Sequence, residues 1–338
     1  MPVVRFPMQP YPTSWYRVAD STDLVHGQIR RMHYFGRDLI AYRTLAGEVR
    51  VADAHCPHLG ADLGPGRIEG DEVVCPFHGW RFDATGSCVE IPYAKKIPGE
   101  AKLRSYQVAE FDGVVAVYYD ELERNPDWSV PPMTGGEDER QWTPFARKVW
   151  QIRTHVQDIV ENGPDVAHQV VVHNAVDIPE MEYEIDGVTI AGTMIGKYDF
   201  PGGPAGGVRV VGHFSNIGLG ITNIRLTDHL DGVEISRQLQ LCRTPIDGIL
   251  VEASIAQRTK SLGDIGMADA MNEKIVQATW EDFEKDIPIW ENKIYRSLPS
   301  RTEFNRGEKP AVLCQGEGAI VKFRNWSRQF YTDAECGV

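Results

Sequence analysis

Cys56-Pro-His58 and Cys75-Pro-Phe-His78 bring two cysteines and two histidines into two short segments separated by sixteen residues. Each segment offers one thiol and one imidazole, and each stands at the end of a strand-like run. Zinc accepts a Cys₂His₂ set, but its ligand pairs usually group like with like, as C-x₂₋₄-C and H-x₃₋₅-H. The mixed grouping suits a [2Fe–2S] cluster in which two cysteines hold one iron and two histidines the other. A third possibility, ordinary side chains clustered by chance, requires four soft ligands to meet by accident. Gly60, Gly64, Gly66 and Gly79 would let backbone N–H groups approach the cluster sulfurs and tune their potential. His55 lies beside the first segment but off its register, and reads as an ordinary loop histidine.

A second constellation lies in Glu161-Asn162-Gly-Pro-Asp165-Val-Ala-His168-Gln-Val-Val-Val-His173. Two histidines five apart do not share a face of a regular helix. They converge only if the helix ends or distorts between them; otherwise they are a pair of satisfied helix-end histidines. Far downstream, Val276, Trp280, Phe283, Ile287, Trp290 and Ile294 form an apolar stripe at helical spacing, and Asp286 falls on it. A carboxylate on a buried stripe is rare unless paired or bound to metal. Its neighbours Glu281, Asp282 and Glu284 are expected in solvent. Pro288 would distort the helix locally and help aim Asp286. Two histidines and one carboxylate with open positions are the facial triad of non-haem Fe(II) oxygenases. For Asp165 the plain alternative is a helix-capping residue after Gly163-Pro164.

The elements that must position these groups change character along the chain. Residues 1–125 read as short strands and turns: LIAYRTL (39–45) and EVRVADA (48–54) form a hairpin around Ala46-Gly47. RSYQVAEF (104–111) and VVAVYYD (114–120) form another around Asp112-Gly113, a type I′ signal. The segment 121–145 is rich in Pro, Gly and charge and reads as a linker. Beyond it, 155–174 has helical spacing broken at Gly163-Pro164, 178–256 alternates as strands, and 267–295 reads as a long amphipathic helix. The loop Pro201-Gly-Gly-Pro-Ala-Gly-Gly207 reads as a plain strand connection, with cover over a pocket mouth as the alternative. The expectation is an α+β chain of two domains, an all-β one over 1–125 and a larger one over 126–338.

With 338 residues and a formal net charge of −13, the chain is not expected to bind nucleic acid, since phosphate binding needs a basic face. No apolar run approaches the roughly 20 residues of a membrane span, and the N-terminus lacks the charged-then-apolar pattern of a signal peptide. The expected address is the cytoplasm. The six cysteines, at 56, 75, 88, 242, 314 and 336, are too sparse for a disulfide scaffold.

CPHLGADLG (56–64), CPFHGWRFDATG (75–86) and IPY (91–93) resemble the Rieske domain of the Rieske non-haem iron oxygenases. Respiratory-chain Rieske proteins carry two further cysteines where this chain has Ala61 and Phe77. GSCVEIPYAKKIP (86–98), DIPIWENK (286–293) and FRNWSRQFYTD (323–333) are similar to the oxygenase component of 3-ketosteroid 9α-hydroxylase and related sterol-acting enzymes. The resemblance implies a helix-grip catalytic domain, an antiparallel sheet with a long C-terminal helix, behind the Rieske domain. It implies that Cys56, His58, Cys75 and His78 hold the cluster. By the motif Asn162-x-x-Asp165-x-x-His168-x₄-His173, with Asp286 downstream, it implies that His168, His173 and Asp286 hold a mononuclear Fe(II). It assigns Asp165, with Asn162 in the same motif, to electron transfer between the centres, in a homotrimer where His78 of one protomer approaches Asp165 of the next. With no dinucleotide or flavin motif in the chain, electrons would come from a separate NAD(P)H-dependent reductase, directly or through a ferredoxin. The reaction implied is O₂-dependent hydroxylation of a C–H bond in a hydrophobic polycyclic molecule, above all a steroid. Alternatives are hydroxylation, demethylation or desaturation of an aromatic acid or secondary-metabolite scaffold, an electron carrier without chemistry at the second site, and a zinc module.

Overall fold

The computed structural model describes residues 5–134, 137–200, 204–261, 265–298 and 309–332, and only the backbone of 265–271. The chain forms two compact units, one of Ser14–Pro132 with Thr244–Gly248, the other of Met1–Thr13, Met133–Arg243 and Ile249–Val338. The first boundary falls later than the 125/126 division expected from composition, because the start of the Pro-rich segment packs on its own unit. Asp120 accepts from the Leu122 N–H and Arg124, and Trp128 gives its carbonyl to the Trp15 indole at 3.0 Å.

The smaller unit is built of antiparallel strands in three sheets. Strand β1 (Ser14–Asp20) pairs with β10 (Val114–Tyr119), and β10 with β9 (Gln107–Phe111). Asp112 and Gly113 both have positive φ, as a type I′ turn requires. A second sheet orders β2 (Ile29–Tyr34), β3 (Arg37–Arg43) and β4 (Val49–Asp53). The third orders β5 (Arg67–Glu69), β6 (Glu72–Val74), β7 (Arg81–Phe82) and β8 (Cys88–Glu90). Cys56, Cys75 and Cys88 belong to the apolar cluster formed by Ile40, Leu63, Val73, Trp80, Phe82 and their neighbours. The two loops bearing the soft ligands therefore hang from a packed core.

The larger unit opens with β11 (Ala146–Ile152), followed by α1 (Val156–Glu161) and α2 (His168–Val172). The break expected at Gly163-Pro164 separates the two helices. A meander follows: β12 (Glu180–Asp186), β13 (Thr189–Tyr198), β14 (Val208–Ile217), β15 (Ile221–Leu230), β16 (Val233–Pro245) and β17 (Val251–Thr259). The sheet order is β11-β17-β16-β15-β14-β13-β12, with β11 returning to pair antiparallel with β17. Between β13 and β14, residues 204–207 form a turn closed by the Gly207 N–H on the Pro204 carbonyl, while 201–203 lie outside the described residues, as do Asp333 and Cys336.

The expected long helix is two pieces, α3 (Ile265–Glu284) and α4 (Ile287–Asn292). Because α4 stops at Asn292, Ile294 is exposed rather than part of the buried stripe. Finally α5 (Gly318–Ser327) runs towards the end of the described chain. The architecture is the α+β class expected. Among the described residues no helix is long and apolar enough to cross a membrane.

Two candidate metal sites

The first site is two copies of one local structure. Cys56 and Cys75 each begin a turn closed by the N–H of a glycine four residues on: Gly60 to the Cys56 carbonyl at 2.9 Å, Gly79 to that of Cys75 at 3.1 Å. Both glycines have φ near +70°, a conformation costly for residues with a Cβ. Proline after each cysteine fixes the turn entry, and the cysteine N–H bonds back across its loop, to Ala61 in one and Trp80 in the other, each at 2.8 Å. The loops thus hold Cys56 and Cys75 buried and close, both as free thiols. Burial and the nearby Cys75 push the Cys56 thiol up to about 12, against an opposing backbone hydrogen bond from His58.

The histidines pair as well. The His58 and His78 rings lie edge to face with centroids 4.6 Å apart, and His58 stacks on Trp80 at 4.5 Å. The Trp80 indole donates to the Tyr93 hydroxyl at 2.9 Å. His58 Nδ1 is buried without a hydrogen-bond partner among the described residues. Thiol beside thiol and imidazole beside imidazole is the grouping a cluster needs, one iron on each pair. A buried thiol raised chiefly by its burial and set beside a second buried thiol, with a ring nitrogen that bonds nothing among the described residues, fits a cationic centre that would take the thiolates and the lone pair.

The second site forms where two helices stop. His168 is the first residue of α2, whereas His173 follows its last and has left the helix, with φ −111° and ψ 14°. This end brings the rings edge to face at 5.0 Å. Asp286 sits at the junction of α3 and α4, where its N–H bonds the Phe283 carbonyl at 3.2 Å, a tight turn with Pro288 just beyond. Donor atoms of His168, His173 and Asp286 lie within 4.8 Å of one another, and His173 Nε2 is 3.2 Å from Asp286 Oδ2.

The far side of each imidazole is also occupied. His168 Nδ1 bonds the Asp165 carbonyl, which leaves Nε2, now 3.2 Å from the Gln169 amide nitrogen, as the atom that could ligate a metal. His173 Nδ1 lies 3.0 Å from Asp282 Oδ2, close but off the line of a good hydrogen bond. Burial alone would lower the His173 pKa, but Asp282 and Asp286 outweigh it and raise it to about 9. An imidazolium held between two carboxylates marks a place where positive charge is wanted. Two imidazoles and a buried carboxylate at this spacing fit a divalent iron.

Several residues behave differently from the sequence expectation. Asp282, its side chain still 42% exposed, also faces His173 and Lys285. Glu284 pairs with Lys148 and accepts from the Trp150 indole at 2.8 Å. Glu281 meets Gln277 at the surface, as expected. The cap position of α2 is Ala167, with no side-chain cap, so Asp165 does not cap that helix. Asn162 accepts from the Trp290 indole at 3.2 Å, which ties the motif to α4.

Sequence reasoning missed the support beneath α1. Glu161 is buried and takes a two-point bond from Arg324, at 2.7 and 2.6 Å, plus the Tyr295 hydroxyl at 2.6 Å. Gln157 links the Tyr295 and Tyr331 hydroxyls, and Asp158 pairs with Lys293 at 2.6 Å. The signal available was a short helix carrying Gln, Asp and Glu on successive faces, which only a polar interior can accept.

Comparison with known proteins adds the lineage. Residues 14–110 match the Rieske [2Fe-2S] domain, and residues 117–331 match the 3-ketosteroid 9alpha-hydroxylase C-terminal domain. The chain is 30% identical to a cholesterol 7-desaturase of Xenopus laevis, over 96% of its own length and 72% of the relative's. It is 27% identical to a 3-ketosteroid-9-alpha-monooxygenase oxygenase component of Rhodococcus rhodochrous, over 95% and 80%. Similar solved structures include NdmA of Pseudomonas putida CBB5 with caffeine (QL mutant; TM-score 0.71, 17% identity, 93% and 89% covered). Dicamba monooxygenase bound to dicamba is another (TM-score 0.68, 20% identity, 94% and 96% covered). At such identities these two speak for the fold.

Proposed function

The chain belongs to the Rieske oxygenases with a 3-ketosteroid 9α-hydroxylase C-terminal domain, and on that premise we propose that it is a terminal oxygenase hydroxylating a C–H bond of a steroid. It is an oxidoreductase with a [2Fe–2S] cluster and a mononuclear iron as cofactors. In our reading Cys56, His58, Cys75 and His78 hold the cluster within the smaller unit, and His168, His173 and Asp286 hold the iron within the larger one. The iron, when bound, supplies dioxygen activation; the chain's own residues supply position. The observation that carries this reading is the meeting of His168, His173 and Asp286, distant in sequence, within 4.8 Å beside a motif that an electron carrier does not need.

Each residue then has a task. Asp165 holds His168 by its main-chain carbonyl and presents its carboxylate as the link to the cluster. Asn162 fixes the turn to Trp290. An oxygenase component implies a separate reductase; we propose that it is NAD(P)H-dependent, acts directly or through a ferredoxin, and that the oxygenase is a cytoplasmic homotrimer. The Xenopus relative supports a second outcome on the same machinery, removal of two hydrogens from a sterol.

The test is a single turnover: iron-replete protein is reduced chemically, mixed with O₂ and a panel of steroids and aromatic acids, and product masses are read. One added oxygen on a steroid supports hydroxylation, and loss of two hydrogens supports desaturation. Conversion of an aromatic acid alone, with the Rieske spectrum intact, discards the steroid.

A further inference from the structure

On the face of the large sheet that meets α3, a buried amide nitrogen lacks a hydrogen-bond partner among the described residues. Gln257 of β17 is fully buried; its Oε1 accepts from Thr279 of α3 at 2.8 Å, but its Nε2 bonds nothing among the described residues. Beside it stands a buried ion pair between neighbouring strands: Arg237 meets Asp228 with Nε at 2.6 Å and its second terminal nitrogen at 2.7 Å. The remaining Arg237 nitrogen reaches towards the same Thr279 hydroxyl, at 3.5 Å. Part of this face is apolar: Tyr198, Val208 and Val210 pack with Leu226 and Leu230, and Leu226 lies directly opposite Arg237; towards the other end of α3 a buried Thr259 donates to Asn272 at 2.6 Å.

Native proteins seldom leave a buried amide nitrogen unpaired, and where they do the group calls for an explanation, such as a ligand that completes it. The position agrees with that. From Thr279 to Asp286 the helix advances about 10 Å, so Gln257 lies two turns from the iron ligand. At the iron end the same interior is aromatic, with Phe283 between Trp150 and Trp290 at 4.9 and 5.2 Å. An interior lined in part by aliphatic and aromatic side chains, with an unsatisfied amide remote from the reacting centre, suits a largely apolar molecule carrying an oxygen at its far end.

We propose that Gln257 is a specificity-determining residue that hydrogen-bonds a ketone or hydroxyl oxygen at the end of the substrate remote from the attacked carbon, with the Asp228–Arg237 pair fixing its surroundings. This rests on the steroid-oxygenase reading above. As placed, Nε2 donates to a ketone; turned by half a rotation, the amide would offer Oε1 to a hydroxyl while Thr279 accepts from Nε2.

The experiment uses the iron-replete enzyme, a steroid with a ketone at its far end, the matching alcohol and the deoxy analogue, reading KM, kcat and binding by calorimetry. Wild type should prefer the ketone to the deoxy compound by about tenfold, the weight of one buried hydrogen bond. Gln257→Leu should abolish that preference by raising KM for the ketone, with kcat little changed. Gln257→Glu should lose the ketone yet keep the alcohol, which a carboxylate still accepts from. The Rieske absorbance and melting temperature identify any variant that fails to fold, and the comparison of the three ligands on wild type stands without variants. Wild type that converts ketone and deoxy compound equally well overturns this inference and leaves the steroid reading standing. Wild type that converts and binds no steroid overturns both.

Discussion

At the scale of single residues, the proposed iron site depends on what stands behind its three candidate ligands as much as on the ligands themselves. Asp286→Ala removes the carboxylate and leaves two imidazoles. The expected result is loss of mononuclear iron and of turnover, with the iron-to-sulfide ratio falling to that of the cluster alone and the Rieske spectrum unchanged. Asp282 is not one of the three grouped ligand residues, yet it faces His173 Nδ1 and is anchored by Lys285 at 2.9 Å. A carboxylate behind a ligating imidazole fixes the proton on Nδ1 and directs Nε2 to the metal. Asp282→Ala should therefore weaken ferrous-ion binding by roughly ten- to a hundredfold, and Asp282→Asn, which keeps an oxygen facing Nδ1, by much less. Titrating ferrous iron into metal-depleted protein with an intact cluster reads this directly, and equal affinity in the Ala variant would remove Asp282 from the site. His168, His173 and Asp286 were legible from sequence because metal chemistry restricts residue type and spacing. Asp282 was not, since one acidic residue among several on a helix has no mark of which way it faces.

Among the elements, α1 carries the motif and stands in a polar interior. Its first turn is capped by His155, whose Nδ1 accepts the Gln157 N–H at 3.1 Å while Nε2 donates to the Gln9 carbonyl at 3.0 Å. Only the neutral ring can do both. Burial depresses the His155 pKa from 6.5 to about 4, the hydrogen bond to Gln9 opposing it. Between about pH 4 and pH 6.5 the unfolded chain therefore binds the proton and the folded one does not. The stability due to this group is complete above pH 6.5, falls as the pH drops through that window, and amounts to about 3 kcal/mol at most. Denaturant unfolding of wild type and His155→Asn at pH 7.5 and 4.5 isolates it: Asn keeps a cap acceptor but does not titrate, so the variant should lose less stability on acidification. An equal loss in both proteins would assign the acid sensitivity elsewhere. Elements were legible where local chemistry decides them: Asp112-Gly113 forces its turn and Gly163-Pro164 breaks its helix. The clamp on α1 was hidden because Glu161 and Arg324 are 163 residues apart, and no local rule joins them.

For the whole molecule, the open matter is how an electron reaches the iron, and the assembly proposed above makes a quantitative claim about it. Mature electron flow requires a cluster and an iron on the two sides of one junction. If His78 of one protomer meets Asp165 of the next, a chain need not own both working centres. One variant, His78→Ala, lacks a working cluster; another, Asp286→Ala, lacks the iron; each alone should be inactive. Unfolded apart and reassembled together in equal amounts, they form mixed rings. A junction works only where a cluster-bearing chain of the second kind faces an iron-bearing chain of the first, which random mixing in a cyclic trimer produces about a quarter of the time. Activity should thus return to about a quarter of the wild-type value. Asp165→Asn introduced into the iron-bearing partner should abolish that recovery while both metals stay in place, because the link lies on the acceptor's side of the junction. Introduced into the cluster-bearing partner instead, it should have no effect. Recovery that follows Asp165 of the cluster-bearing chain, or no recovery in rings that sedimentation shows to be mixed, would place electron transfer within one chain and withdraw the trimer from the mechanism.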